Sequence, residues 1–132
     1  MAGAMSNYLR TALLNAVLKN TSYTSPPVVY LGLFTSATDA DSGGTEVTGN
    51  AYQRQSVAFG AITTPNETLK NSGTVTFPTA TPAQWGTVTD FGIYDSQSGG
   101  NRLFWGTLDT QKLVGAGDII QFIANAIAVS LS

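Results

Sequence analysis

The ionisable side chains of this 132-residue chain are eight carboxylates, six Lys or Arg cations and five tyrosines; histidine and cysteine are absent. Without histidine, the commonest general base and the commonest transition-metal ligand are missing. Without cysteine, disulfide frameworks and thiolate chemistry are closed. Serine and threonine are plentiful, but no base stands near any of them to activate a nucleophile. Asp39, Asp41 and Glu46 lie in the loop sequence DADSGGTE and faintly resemble a calcium loop. The ligand spacing and central glycine of an EF-hand are absent, so a solvated turn is the expected reading and no metal or cofactor is predicted. Asp90 and Asp95 bracket one apolar run. Glycoside hydrolysis needs two carboxylates facing each other across a cleft, which this spacing does not supply, and Asp95 suits the start of a turn. Trp85 and Trp105, with Tyr8, Tyr23, Tyr30, Tyr52 and Tyr94, would make a sugar-stacking platform if exposed; on strands they are expected in the core. No enzymatic activity is expected.

Composition narrows the class further. The length suits one domain, 1–132, with enough chain for one real core. Charged residues make up 11% of the chain, against about 25% in an average domain. Gly, Ser, Thr, Asn and Gln carry the polarity instead, as in a surface partly covered by partners or in a Thr/Ser-rich β domain. The net charge is −2 and the six cations are scattered, so there is no basic footprint for nucleic acid. No apolar run reaches the ~18 residues of a membrane span. The N-terminus lacks the basic region and cleavage site of a signal peptide. Residues 1–5 are expected to be a flexible extension, with Met5 as an alternative start.

One helix is predicted over residues 6–20. Ser6 is a good N-cap, Gly and Pro are absent to Lys19, and Leu9, Leu13, Ala16 and Val17 share a stripe that Leu14 and Leu18 widen. Such a wide apolar arc packs on the chain's own sheet or meets another subunit. The remainder, 28–131, reads as short strands separated by turns, which indicates a mainly β fold: an antiparallel β-sandwich or partly closed barrel carrying that one helix. Residues 28–35, VVYLGLFT, are apolar on both faces, like a central strand. Residues 51–59 alternate like an edge strand, and 73–77 make a short one. Residues 118–131 are too long and apolar for one strand, so a bend is expected near Ala124-Asn125.

The most informative stretch is WGTVTDFGIYDSQSGGNRLFWGTL, residues 85–108. It reads as a β-hairpin turning in DSQSGGN. Pairing Tyr94 with Arg102 sets Ile93 opposite Leu103 and Phe91 opposite Trp105, so that Phe91, Ile93, Leu103 and Trp105 form one core face. The same register lays Phe104 across from Gly92.

These segments together carry a resemblance. The stretches SNYLRTALLNAVLKNTSYTSPPVVYLGLFT, GTEVTGNAYQRQSVAFG, NSGTVTFPTAT, WGTVTDFGIYD and SGGNRLFWGTL, with the terminal apolar strand, resemble a family of small virion structural proteins of tailed bacteriophages, often described as tail fibre proteins. The likeness covers 6–131; Arg102 stands where an apolar or neutral residue is expected. It implies a non-enzymatic virion component, made in the bacterial cytoplasm, whose partners are other virion proteins, either the major capsid protein or tail proteins. No fibre repeat, collagen-like segment or coiled coil is present. A capsid decoration (cement) protein on the head surface is therefore the favoured expectation, and a tail fibre or tail-tip protein with a receptor- or carbohydrate-binding role the alternative. A homo-oligomer, preferentially a trimer, is expected, with Leu14, Leu18, Val28, Tyr30 and Phe122 as subunit contacts.

Overall fold

The computed structural model describes residues 1–131. Its elements, in chain order, are β1 (Ala2–Met5), α1 (Asn7–Leu18), β2 (Val29–Phe34), β3 (Gln55–Val57), β4 (Leu69–Lys70), β5 (Val75–Thr76), β6 (Gly86–Tyr94), β7 (Arg102–Val114), β8 (Gln121–Phe122) and β9 (Ala128–Val129). Seven strands form one sheet in the order β3-β2-β6-β7-β1-β9-β4, and β5 pairs with β8 apart from it. All pairs are antiparallel except β1 with β9. The sheet curls until its two edges meet: Gly60 N–H donates to Lys70 O and Ser72 N–H to Ala58 O, each at 2.9 Å. The result is the predicted mainly β fold in its partly closed barrel form, with one helix.

Leu31, Leu33, Phe91, Ile93, Val88 and Ile127 fill the middle of the core, and Phe77, Trp85 and Phe122 close one end. Phe77 meets Trp85 and Phe122 edge to face at 6.4 and 6.3 Å, a favoured aromatic geometry. Phe122 is thereby buried; it is core and not the subunit contact expected from the sequence. Asn71 is fully buried and fully used. Its amide donates to Gly73 O and Ile123 O, and its Oδ1 accepts from Ile127 N–H. Those bonds fix the bend expected in 118–131, where Asn125 takes a φ of +70°.

Two sequence expectations are corrected here. Residues 1–5 are not a flexible extension. Ala2–Met5 is a strand seated between β7 and β9, because both would otherwise present unpaired backbone groups. Gly3 lets it lie close to the Phe91 ring, which a Cβ there would meet at 3.3 Å.

The hairpin register is also different. Tyr94 pairs with Arg102 as predicted, but a bulge follows, and Ile93 then pairs with Phe104, Gly92 with Trp105 and Phe91 with Gly106. The bulge falls at Leu103, whose carbonyl accepts from Ser6 N–H at 2.9 Å. One extra residue moves every later side chain to the opposite face. Phe91 and Ile93 stay in the core, Leu103 is buried outside the main cluster, and Trp105 is half-buried on the other face, with its indole N–H donating to Met5 O at 3.3 Å. The aromatic-over-glycine contact exists, but it is Phe91 over Gly106. Farther along, residues 108–111 of β7 lie opposite Thr89 alone. Thr89 Oγ1 there is the one buried side-chain polar atom among the described residues without a partner.

Candidate interaction surface

α1 forms for the local reasons read from its sequence. Ser6 holds an extended ψ of 162° and its Oγ accepts from Leu9 N–H at 3.1 Å, satisfying one of the free donors of the first turn. At the other end Asn20 takes a φ of +52°, and Lys19 and Thr21 N–H both donate to Asn15 O. The helix nevertheless buries only Leu9. Leu14, Val17 and Leu18 are 59%, 76% and 75% exposed, and Leu131 beside them is 63% exposed. With Met5, Leu13 and the stem of Arg10 they line an open apolar groove of about 720 Å³. Leu131 also lines a second recess with Ile62, Leu69 and Phe104, so the apolar surface continues from the helix onto the rim of the barrel. Contiguous exposed apolar surface of this kind marks an interaction site. Of the other expected contacts, Val28 is exposed just before β2 and Tyr30 is half-buried opposite Tyr94.

The carboxylates singled out from the sequence are each held by protein donors and do not converge. Asp39 Oδ1 accepts from Asp41 N–H at 2.9 Å and Gly43 N–H at 2.8 Å. Those backbone donors, with a smaller contribution from Arg102, hold its carboxyl below the usual range. Asp41 Oδ1 accepts from the Asn7 amide at 2.8 Å. Glu46 is paired with Arg54. Among the described residues no three acidic side chains gather as a metal site would require. Asp90 is buried and accepts from Thr38 N–H, Thr38 Oγ1 and Thr107 Oγ1, tying the 36–46 loop to the sheet. Asp95 caps its turn through Asn101, as its position suggested.

The arrangement not foreseen from the sequence is a stack of rings and guanidinium groups on the sheet face opposite the core. Arg54 grips Glu46 with two parallel bonds of 2.8 Å and reaches Ser96 O and Gly99 O with Nη1. Its guanidinium carbon lies 3.6 Å from the Tyr94 ring centre, Tyr94 stacks on Phe34 at 6.4 Å, and Arg102 sits 4.8 Å over Phe34. Gly32 and Gly92 make room: a Cβ on Gly32 would stand 2.8 Å from Glu46 Oε2, and one on Gly92 2.9 Å from Tyr94. Tyr52 donates to Glu46 Oε2 at 2.6 Å while its oxygen accepts from Leu33 N–H. Burial first, and the Glu46 carboxylate second, push the Tyr52 phenol far above its ordinary value. Burial opposes the Arg54 charge, but Glu46 outweighs it and Arg54 holds its proton more firmly than usual. Glu46, Arg54 and Tyr52 are thus each committed to a structural partner. The sequence signal that could have found this stack was the pair of strand glycines at 32 and 92, each flanked by large side chains.

Over residues 4–130 the chain matches the family model described as Podophage GP4 fiber I protein gp80. No curated protein matches it.

Proposed function

We propose a function from one premise: the chain belongs to the podophage GP4 fiber I protein gp80 family, and it acts as a non-enzymatic structural subunit of a tail-associated fibre, through protein–protein contacts. The observation that carries this reading is the exposed apolar face of Leu14, Val17, Leu18 and Leu131. A surface of that kind on a small, sparsely charged domain is stable in water only at a cost, and assembly removes it. The capsid-surface position favoured from the compact sequence has less support than the fibre position, because the family's description is that of a fiber protein. Leu14 and Leu18 are the proposed subunit contacts on α1, with Val28 and Tyr30 at a second edge, and three-fold self-association is the proposed arrangement.

Binding energy would come from burying the apolar face against the next copy or the neighbouring virion protein. A subunit that binds only the assembled state stabilises that state by mass action. Localised cryo-EM reconstruction of the virion tests the proposal. Copies of this fold arranged around the tail, with α1 at a subunit boundary, are expected. Copies on the capsid lattice, or α1 facing solvent in every copy, would refute it.

A further inference from the structure

Among the described residues, the large apolar side chains that are more than half exposed fall into two groups. Leu14, Val17, Leu18 and Leu131 line the α1 groove, and Ile62 lies on the recess that adjoins it at Leu131. Leu113, Ile119 and Ile123 make the second group, at 68%, 58% and 65% exposed. Leu113 and Ile119 line one recess of about 280 Å³. Ile120 and Phe122 are buried, so alternation keeps Ile119 and Ile123 together on the outer side. The two groups lie at opposite ends of the strands. β1 runs antiparallel to β7 and parallel to β9, so leaving the groove at Met5 leads along β7 from Phe104 towards Leu113 and back along β9 towards Ile123. At about 3.3 Å per residue, the stretch of β7 from Phe104 to Leu113 spans up to about 30 Å.

A closed three-fold ring joins unlike surfaces: residue i of one copy meets residue j of the next, and the reverse contact is not made. Given the three-fold self-association proposed above, the α1 groove therefore needs a receiving surface elsewhere on the domain. We infer that Leu113, Ile119 and Ile123 form that surface, and that each copy seats them in the α1 groove of the next copy, head to tail. All three are more exposed than Val28 or Tyr30. One repeated contact then covers both apolar groups, whereas an α1-to-α1 contact closes at two copies and leaves Leu113, Ile119 and Ile123 in water. The charges at the two ends are complementary. Arg10 borders the groove and Glu67 the recess beside it, while Lys112 and Asp118 border the receiving surface. Arg10 with Asp118 and Glu67 with Lys112 give opposite-charge pairs across the contact, which fix its orientation.

The test is complementation between two full-length variants, Leu18→Lys in the groove and Ile119→Lys on the receiving surface, read by sedimentation velocity. Both positions are exposed, so the thermal midpoints should stay at the wild-type value. Each variant alone should lose about tenfold or more in association constant. An equimolar mixture should recover a heterodimer, because one groove and one receiving surface remain intact between the two. The chain has no cysteine, so Leu18→Cys mixed with Ile119→Cys gives a second readout: a short bifunctional maleimide should link the two variants to each other and neither to itself. That readout decides if Ile119→Lys lowers the thermal midpoint. A folded Ile119→Lys that assembles like wild type while Leu18→Lys is monomeric would overturn this pairing and leave the α1 contact standing. A mixture without heterodimer, or Leu18→Cys linking to itself, would also overturn it. A wild-type protein that stays monomeric at high concentration would overturn the pairing and the three-fold reading together.

Discussion

Replacing Val17 by Asp and Leu18 by Lys together should abolish self-association while leaving the fold intact. Both side chains are about three-quarters exposed, at 76% and 75%, so neither holds the monomer together. Fully burying a side chain of this size contributes about 1.5–3 kcal/mol. Covering the exposed three-quarters of two such side chains therefore amounts to roughly 2–4 kcal/mol, before any desolvation of the new charges. At 1.4 kcal/mol per decade, that is a loss of about 30- to 1,000-fold in association constant. The unfolding free energy of the monomer should move by no more than about 0.5 kcal/mol, as at other exposed sites. Sedimentation velocity across a concentration series reads the first quantity, and urea unfolding at a concentration where both proteins are monomeric reads the second. The free protein should sediment above monomer mass, and the double variant as a monomer. A wild-type protein that remains monomeric at high concentration and fails to bind purified tails, or a variant that assembles like wild type, would refute the reasoning.

Three further outcomes are expected. Phe91→Ala should cost about 3–5 kcal/mol in urea unfolding, the range for deleting a fully buried aromatic, and Trp105→Ala distinctly less, since Phe91 is enclosed and Trp105 half-buried; equal costs would contradict the observed register. Tyr52 has a folded-state pKa raised above the unfolded value of about 10, so its contribution is complete below that pH and is lost as pH rises beyond it; Tyr52→Phe should flatten the alkaline limb of a stability–pH profile, and an unchanged limb would show that the phenol is not held neutral. Calcium or EDTA should leave the thermal midpoint where it is, because Asp39 and Asp41 are satisfied by backbone and amide donors and Glu46 by Arg54; a calcium-dependent rise in differential scanning fluorimetry would reverse that reading.

Local information determined much of this protein. The Ser6 cap, the helical stripe, the apolar 28–35 strand, the turn at DSQSGGN and the bend near Asn125 are all set by residues within a few positions of one another, and they appear where the chain places them. The absence of histidine and cysteine, also readable without coordinates, removed most catalytic and metal chemistry. What the tertiary structure alone decided depends on contacts far apart in the chain. The bulge at Leu103 arises with Ser6 bonded to its carbonyl across 97 positions, and it sends Trp105 to the other face. Residues 1–5 become a strand because β7 and β9 present backbone groups that need partners, a demand invisible in the five residues themselves. Phe122 looked free because its cover, Phe77, comes from the segment just after β5, far away in the chain. The exposure of Leu14, Val17 and Leu18 was likewise undecidable locally, since an apolar helix face reads the same whether its own sheet or another chain covers it; here the curled sheet closes on itself and leaves that face exposed.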